Sequence, residues 1–311
     1  MNKINALIDN INNVIIGKDE QIKIVIMALL ANGNVLLEDL PGTGKTVLAK
    51  TLAKSIDADF SRIQFTPDLL PSDITGLNYY NPKTQEFVFK KGPGFCNILL
   101  ADEINRATPR TQSALLECME EKQITIDGHA YKLEEPYFVI ATQNPIETSG
   151  TFPLPEAQLD RFAVKLSLGT ANLESEIKIL GNLSNSQEKK EITSVLSINE
   201  LLDLQKEVGK VFAHQALIEY IAKIILATRN NLNFLAGSST RGSINLLNLS
   251  KAKALIEERN FITPEDIKYL APFVLSHRVI SSSYQSDSSS NKKVINEILE
   301  EISVPTEQWY Q

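Results

Sequence analysis

A glycine-rich turn that ends in Gly-Lys-Thr is the strongest chemical signal in the sequence. It consists of Pro41, Gly42, Thr43, Gly44, Lys45, Thr46 and Val47. Glycine lets backbone N–H groups approach an anion closely, and a lysine in the first turn of a helix is well placed only when an anion lies there too. The turn therefore predicts a site for nucleotide phosphates, with Lys45 at the β- and γ-phosphates and the Thr46 hydroxyl on Mg²⁺. The alternative is an ordinary glycine-rich turn between a strand and a helix.

The turn departs from the usual phosphate-loop pattern at one position. The pattern G-x-x-x-x-G-K-[ST] begins with glycine, whereas this chain has Asp39 there. Aspartate tolerates unusual φ angles better than most residues, so we expect the turn to form. A carboxylate close to a triphosphate would be repulsive unless it points away. The sequence leaves open whether Asp39 weakens nucleotide binding.

Two adjacent carboxylates, Asp102 and Glu103, follow the apolar run 95–101. The carboxyl end of a buried parallel strand is where such sheets bind ligands. In a phosphoryl-transfer site the first carboxylate holds Mg²⁺ through water, and the second accepts a proton from the attacking water. The alternative is that one of them caps a helix. The Gly-Lys-Thr turn upstream favours the Mg²⁺ and water roles.

Four further residues are candidates for the same site. Asn144 follows a third apolar run, 137–142, where it would hold the attacking water or begin the turn before a proline. Arg241 lies at a predicted helix start, where its charge opposes the helix dipole, so an anion partner is expected. Ile16 and Gly17 form an apolar turn that either covers the nucleotide base or belongs to the core.

The elements around these residues change character along the chain. Strands alternate with helices up to residue 169, and Leu48, Leu52 and Ile56 line one face of the helix after the glycine-rich turn. The segment 151–162 is interpreted as a short helix. From residue 171 onward the pattern is helical. The sequence predicts an α/β core with a parallel sheet over 1–169, a smaller all-helical domain over 170–285, and a C-terminal tail with a short helix over 286–311.

Composition excludes several functional classes. The formal net charge of −7 and the pI near 5.2 argue against a broad surface for nucleic acids or acidic membranes. Cys96 and Cys118 lie in apolar segments without metal-ligand spacing, so we expect buried, reduced thiols. The sequence contains no apolar run long enough to span a membrane. We expect a cytoplasmic protein that does not insert into membranes.

Taken in order, these motifs resemble the MoxR family of AAA+ ATPases over roughly residues 14–279. The stretches that carry the resemblance are 36–46, 100–107, 114–121, 141–145, 154–162 and 239–241. A lone Gly-Lys-Thr turn would be weak evidence, but this ordered set is highly specific. The resemblance implies an αβα sandwich followed by a helical lid.

The resemblance also implies roles for single residues. Lys45 and Thr46 match the Walker A motif, Asp102 and Glu103 match Walker B, Asn144 matches sensor 1, and Arg241 matches sensor 2. Arg161 matches the arginine finger, which reaches the γ-phosphate held by a neighbouring subunit, and Arg106 is a second candidate at that interface. The implied cofactors are ATP and Mg²⁺. The implied partners are further copies of this chain in a hexameric ring and a client protein, commonly one with a von Willebrand factor A domain.

Three other functions stay open at this point. The motor subunit of a metal chelatase has a similar AAA+ core, and nothing inside the chain decides against it. A non-catalytic, nucleotide-dependent scaffold would follow if Asp39 weakened binding. A nucleic-acid motor is disfavoured by the acidic charge balance.

Overall fold

The computed structural model describes residues 3–146, 150–184, 192–282 and 288–306. The helices are α1 Lys3–Asn12, α2 Asp19–Leu30, α3 Lys45–Ser55, α4 Pro71–Thr75, α5 Pro109–Glu121, α6 Glu156–Leu159, α7 Leu173–Ser184, α8 Ile198–Lys210, α9 Gln215–Asn230, α10 Thr240–Ile256, α11 Pro264–Leu275 and α12 Ser288–Glu301. The strands are β1 Asn34–Glu38, β2 Phe60–Gln64, β3 Gly76–Asn81, β4 Glu86–Lys91, β5 Ile98–Asp102, β6 Gln123–Ile126, β7 His129–Lys132, β8 Phe138–Gln143, β9 Phe162–Leu166, β10 Phe234–Ala236 and β11 Ile280–Ser281. Among the described helices, none is long and apolar enough to cross a membrane.

Five strands form the main sheet, in the order β2-β5-β8-β1-β9. Strand β5 pairs in parallel with both β2 and β8, so that Ala101 lies opposite Ile63 on one side and Ala141 on the other. All five residues of β5 are buried, as expected for a parallel strand that is covered on both faces. The predicted α/β fold with a parallel sheet is confirmed.

Helix α3 is held by the apolar face that its spacing predicts. Leu48, Leu52 and Ile56 are fully buried. Burying a side chain of this size contributes about 1.5 to 3 kcal/mol, so these residues fix the helix that the glycine-rich turn leads into. The helix therefore provides a rigid end for that turn.

Two antiparallel hairpins form separate two-stranded sheets outside the main sheet. Strands β3 and β4 pair from Gly76 opposite Lys91 to Asn81 opposite Glu86, and β6 pairs with β7. The β6–β7 turn consists of Asp127 and Gly128, both with positive φ. This is the two-residue turn whose twist matches that of the flanking strands.

The interpretation of residues 151–162 as one helix is wrong. Helix α6 covers four residues, Glu156–Leu159, and Phe162 is already the first residue of β9. Pro153 and Pro155 explain the late start, because proline lacks an N–H group and disfavours helical geometry in the residue before it. The arginine at position 161 therefore lies in the short turn between α6 and β9.

Contacts divide the chain into two units. Unit 1 consists of Met1–Lys23, Leu36–Leu154 and Ser167–Leu201, and unit 2 of Ile24–Val35, Pro155–Leu166 and Leu202–Gln311. Unit 1 contains α3, β2, β5, β8 and both hairpins, and unit 2 contains α9, α10, α11 and the β10–β11 pair. The predicted boundaries at 169 and 285 stay predictions. The boundary residue 285, the first two residues of the predicted tail (286–287) and its end (307–311) lie outside the described residues.

Both cysteines are free and buried. Burial raises the pKa of the Cys96 and Cys118 thiols to about 12. The thiolate, which is the reactive and metal-binding form, is therefore scarce at neutral pH. The prediction of buried, reduced thiols is confirmed.

Candidate active site

The carboxyl ends of β1, β5 and β8 meet at one edge of the sheet in unit 1. The Thr142 hydroxyl on β8 donates to Asp102 Oδ1 at the end of β5, at 2.6 Å. The Asp39 N–H, just after β1, donates to the Gln143 carbonyl at the end of β8, at 3.1 Å. This edge therefore brings together the glycine-rich turn, the acidic pair and Asn144, where a parallel sheet binds ligands.

The turn between β1 and α3 has the backbone shape of a phosphate site. Gly42 and Gly44 have φ angles of +85° and +91°, which glycine adopts at no steric cost. In the described chain, no atom lies within 4 Å of a Cβ built on either residue. Because Gly44 has no side chain, it cannot cap the first N–H groups of α3, and these donors with the helix dipole suit an anion. The turn fits a phosphate group.

Lys45 is the first residue of α3 and its side chain turns back into the loop. Only 8% of the residue is exposed, and its Nζ donates to the carbonyl of Asp39 at 3.0 Å and of Leu40 at 3.3 Å. The ammonium is thereby held against the turn that would carry the phosphates. The remaining predicted phosphate contacts lie along the same loop: Pro41 and Val47 are exposed, and Thr43 and Thr46 are half-buried.

The carboxylate of Asp39 points away from the glycine-rich turn. It is 3% exposed, and it accepts hydrogen bonds from the Ser167 hydroxyl at 2.7 Å, the Leu168 N–H at 2.8 Å and the Gly169 N–H at 2.9 Å. Three donors satisfy most of the acceptor capacity of a carboxylate. A carboxylate at this position could either face a triphosphate and repel it or point away. In the structure it points away.

Asp102 is held by two side chains from neighbouring strands. Besides the bond from Thr142 to Oδ1, Arg62 on β2 donates to Oδ2 from Nε at 3.2 Å and from Nη2 at 2.7 Å. The residue is 7% exposed. Sequence reasoning overlooked Arg62, because a single arginine on a strand carries no spacing that links it to a carboxylate 40 residues later.

Glu103 adopts a left-handed conformation directly after β5, with φ of +57°. Its N–H donates to the Thr142 hydroxyl at 2.9 Å. Its carboxylate accepts from Gln64 Nε2 at 2.7 Å and pairs with Arg106 Nε at 3.0 Å. The conformation costs about 1 to 3 kcal/mol in a non-glycine residue. Such strain is typical of residues whose side chain must point in one direction at an active site.

Asn144 forms the turn that the sequence offers as its alternative role. It is 5% exposed, and its Oδ1 accepts from the Ile146 N–H at 3.2 Å, across Pro145. This is the local side-chain bond by which asparagine begins a turn. The side chain nevertheless lies at the edge where Asp102 and Glu103 are found, so a role at the attacking water stays a prediction.

The turn predicted to cover the nucleotide base lies in unit 1. Ile16 is half-buried, and Gly17 has φ of +72°. A Cβ on Gly17 would lie 2.0 Å from the Ser175 hydroxyl, near the start of α7. Glycine is therefore required here both by conformation and by the close approach of α7. Contact with a base stays a prediction.

The two predicted arginines, Arg161 and Arg241, lie in unit 2; Arg161 directly follows Asp160 in the chain, and Arg241 lies near the Asp160 carboxylate. Asp160, the residue before Arg161, accepts from the Ser239 hydroxyl at 2.9 Å and from Arg278 Nε at 2.9 Å. Arg241 Nη1 lies 3.8 Å from Asp160 Oδ2. The anion partner expected for Arg241 is thus supplied within the chain. Arg278 was overlooked by sequence reasoning, since nothing in its sequence neighbourhood distinguishes it.

Two family models match the chain. Residues 34–164 match the ATPase family associated with various cellular activities (AAA), and residues 226–301 match the AAA lid domain. The first match contains the glycine-rich turn, the acidic pair, Asn144 and Arg161, and the second contains Arg241. The predicted α/β core with a helical lid is confirmed.

Relatives match over nearly the whole chain. It is 47% identical over 301 residues to YeaC of Bacillus subtilis, which covers 96% of this chain and 94% of YeaC. It is 38% identical over 305 residues to Chaperone MoxR1 of Mycobacterium tuberculosis, covering 95% and 80%. The chain belongs to the MoxR family of AAA+ ATPases. A crystal structure of a Cytophaga hutchinsonii protein matches this MoxR-family chain with a TM-score of 0.90 and 41% identity, over 98% of this chain and 96% of that one.

Proposed function

We propose that this MoxR-family protein is a Mg²⁺-dependent ATPase that assembles into a hexameric ring and uses ATP hydrolysis to remodel or mature a client protein. The observation that carries the proposal is the single sheet edge at which the phosphate-shaped turn, Asp102 and Glu103 meet. The name of the relative Chaperone MoxR1 supports the client role. A client with a von Willebrand factor A domain is the partner class that we propose.

Lys45 and the turn bind the triphosphate. In the structure the Lys45 ammonium donates to two neutral carbonyls. Phosphate oxygens are better acceptors for this ammonium, because they carry negative charge and lysine binds phosphate as a point charge. ATP therefore draws Lys45 from the loop carbonyls to the β- and γ-phosphates, while the Ile16–Gly17 turn contacts the base.

Thr46 and Asp102 are the residues that would hold Mg²⁺. Hydroxyl and carboxylate oxygens are the ligands that Mg²⁺ prefers, with water and phosphate completing its shell. When bound, the ion would neutralise charge on the β- and γ-phosphates. Arg62 and Thr142 fix the Asp102 carboxylate, so its position is set before any ligand arrives.

Glu103 acts as the base toward the attacking water. It accepts the water proton as the water oxygen bonds to the γ-phosphorus, while the bond from that phosphorus to the β–γ bridging oxygen breaks and ADP leaves with the electron pair. Glu103 must exchange its present partners, Gln64 and Arg106, for the water. Asn144 orients that water.

Two arginines stabilise the charge on the transferred group. Arg161 reaches the γ-phosphate of a neighbouring subunit, and Arg241 contacts the γ-phosphate as the second sensor. An arginine supplied in trans accelerates phosphoryl transfer by about 10³ to 10⁵-fold. Hydrolysis then requires assembly of the ring.

The test measures Mg²⁺-dependent phosphate release per chain against protein concentration. We expect the rate to rise with concentration in the wild type, to fall by about 10³-fold or more in Arg161→Ala, and to fall by about 10²- to 10⁴-fold in Glu103→Gln. Glu103→Gln should still bind a fluorescent ATP analogue. Arg110→Ala is the matched control, because Arg110 is an exposed arginine on α5.

Two results would contradict the proposal. A rate per chain that does not depend on concentration, together with full activity in Arg161→Ala, would rule out an active site that is shared between subunits. ATP binding without hydrolysis at any concentration, with or without a client, would favour a nucleotide-dependent scaffold.

A further inference from the structure

Arg278 is a buried arginine just after α11 whose guanidinium is fully used. Its side chain is 0% exposed. Nε donates to Asp160 Oδ1 at 2.9 Å, Nη1 donates to the carbonyls of Ala163 and Val274, and Nη2 donates to the carbonyls of Asp160 and Phe162. A guanidinium has five N–H donors, and here each has an acceptor.

Four of these five acceptors belong to residues 160–163, the turn that carries Arg161. The carbonyl before Arg161 and the carbonyl after it, those of Asp160 and Phe162, bind the same nitrogen at 3.0 and 2.5 Å. His277 Nε2 also contacts the Phe162 carbonyl, at 2.9 Å. The backbone on both sides of Arg161 is therefore fixed by residues 277 and 278.

Burying this charged side chain costs free energy, and the gain that the arrangement offers is a fixed geometry. Burying a charge costs several kcal/mol, and replacing buried ion pairs by apolar side chains often leaves stability unchanged. Burial lowers the pKa of Arg278 to about 10, so the group stays charged at neutral pH. Lysine could not replace it, because an ammonium has three donors and no planar fork.

We propose that Arg278 is a positioning residue that holds the 160–163 turn so that Arg161 reaches the nucleotide of a neighbouring subunit. This inference rests on the proposed role of Arg161 as an arginine supplied in trans. Arg278 itself does not touch the nucleotide. Because a misplacement of about 1 Å at a catalytic group can cost about 100-fold in rate, loosening this turn is expected to lower kcat rather than nucleotide affinity.

The variant is Arg278→Lys, and Arg259→Lys is its matched control in the same unit. Arg259 also donates from a partly buried site to a carboxylate, Asp266, and to a carbonyl, that of Phe261. It does not contribute to the bonds around Arg161. We expect Arg278→Lys to lose about 100-fold in kcat with unchanged affinity for a fluorescent ATP analogue, and Arg259→Lys to keep its kcat even where both lower the Tm equally.

Mixing inactive variants separates positioning from general damage. Glu103→Gln chains have a correctly placed Arg161 but an inactive ATP site. Arg278→Lys chains have an intact ATP site but a misplaced Arg161. We expect a mixture of the two to regain activity, as should the reference mixture of Glu103→Gln with Arg161→Ala. The double variant Arg161→Ala, Arg278→Lys should be no slower than Arg161→Ala alone.

Each remaining outcome overturns the inference. If the reference mixture regains activity and the Arg278→Lys mixture does not, Arg278 does not act through Arg161, and the ring ATPase stands. If neither mixture regains activity, the role of Arg161 in trans fails and the positioning role fails with it. Should Arg278→Lys not fold, Asp160→Asn weakens the same clamp at one bond, and the same mixing result is expected of it.

Discussion

Replacing Asp39 by glycine restores the usual first residue of the phosphate-loop pattern, yet we expect it to destabilise the protein without strengthening nucleotide binding. The carboxylate accepts three hydrogen bonds from Ser167, Leu168 and Gly169. It points away from the loop, so its removal relieves no repulsion of phosphate. Its loss leaves the buried Leu168 N–H without an acceptor.

The expected cost follows from those bonds. A hydrogen bond to a charged group contributes about 1.5 to 3 kcal/mol, and leaving a buried donor unsatisfied costs about 1 to 3 kcal/mol. Glycine adds about 0.5 to 1 kcal/mol through backbone entropy. Because these contributions overlap, we expect the free energy of unfolding to fall by about 4 kcal/mol, which lowers the Tm by about 8 to 16 °C.

The assay is thermal unfolding of the full chain, combined with titration of a fluorescent ATP analogue. Asp39→Asn keeps the shape and one oxygen, so its Tm should lie between those of the wild type and Asp39→Gly. Asp57→Gly is the matched control, because Asp57 is exposed and already has a φ of +51°. Glycine relieves that strain, and no loss of Tm is expected there.

A tighter affinity for the ATP analogue in Asp39→Gly, with an unchanged Tm, would refute this reasoning. It would mean that the carboxylate opposes the nucleotide in solution.

Three further predictions concern stability. Burial, with Arg278 beside it, lowers the pKa of His277 well below 6.5, so the imidazole stays neutral in the folded state. The free energy of unfolding should therefore fall by about 1.4 kcal/mol per pH unit as the pH drops below about 6.5. Urea titrations of His277→Gln should show a smaller pH slope. Burial raises the pKa of Asp266, but hydrogen bonds from Arg259 and Lys253 outweigh burial and lower the pKa below 3.8. The ionised carboxylate therefore stabilises the folded state above pH 3.8, and this contribution is lost as the pH falls through the pKa of the folded state. The free energy of unfolding of Asp266→Asn should depend less on pH in this acid range. Gly17→Ala should lower the Tm because of its clash with Ser175, and adding Ser175→Ala should recover part of the loss.

The phosphate loop and its helix could be predicted from sequence because their determinants are local. The φ preferences of Gly42 and Gly44 and the four-residue spacing of Leu48 and Leu52 act over one turn of chain. The same holds for the Asp127–Gly128 hairpin. Such signals need no knowledge of distant residues.

Strand β9 and the extent of α6 were missed for a related reason. Residues 162–166 form a short buried strand, and a short apolar run does not distinguish strand from helix by its period. The partner strand, which decides the matter, is remote in sequence. Only the position of the segment in the sheet makes Phe162 a strand residue.

What the sequence determined by itself was the kind of site: a glycine-rich turn before a helix, an acidic pair at a strand end, and an arginine at a helix start. Only the tertiary structure decided what each group contacts. Asp39 meets Gly169, Asp102 meets Arg62, and Arg278 encloses the turn of Arg161. These contacts join residues separated by 40 to 130 positions, and a hydrogen bond over that distance depends on how whole elements pack rather than on any local pattern.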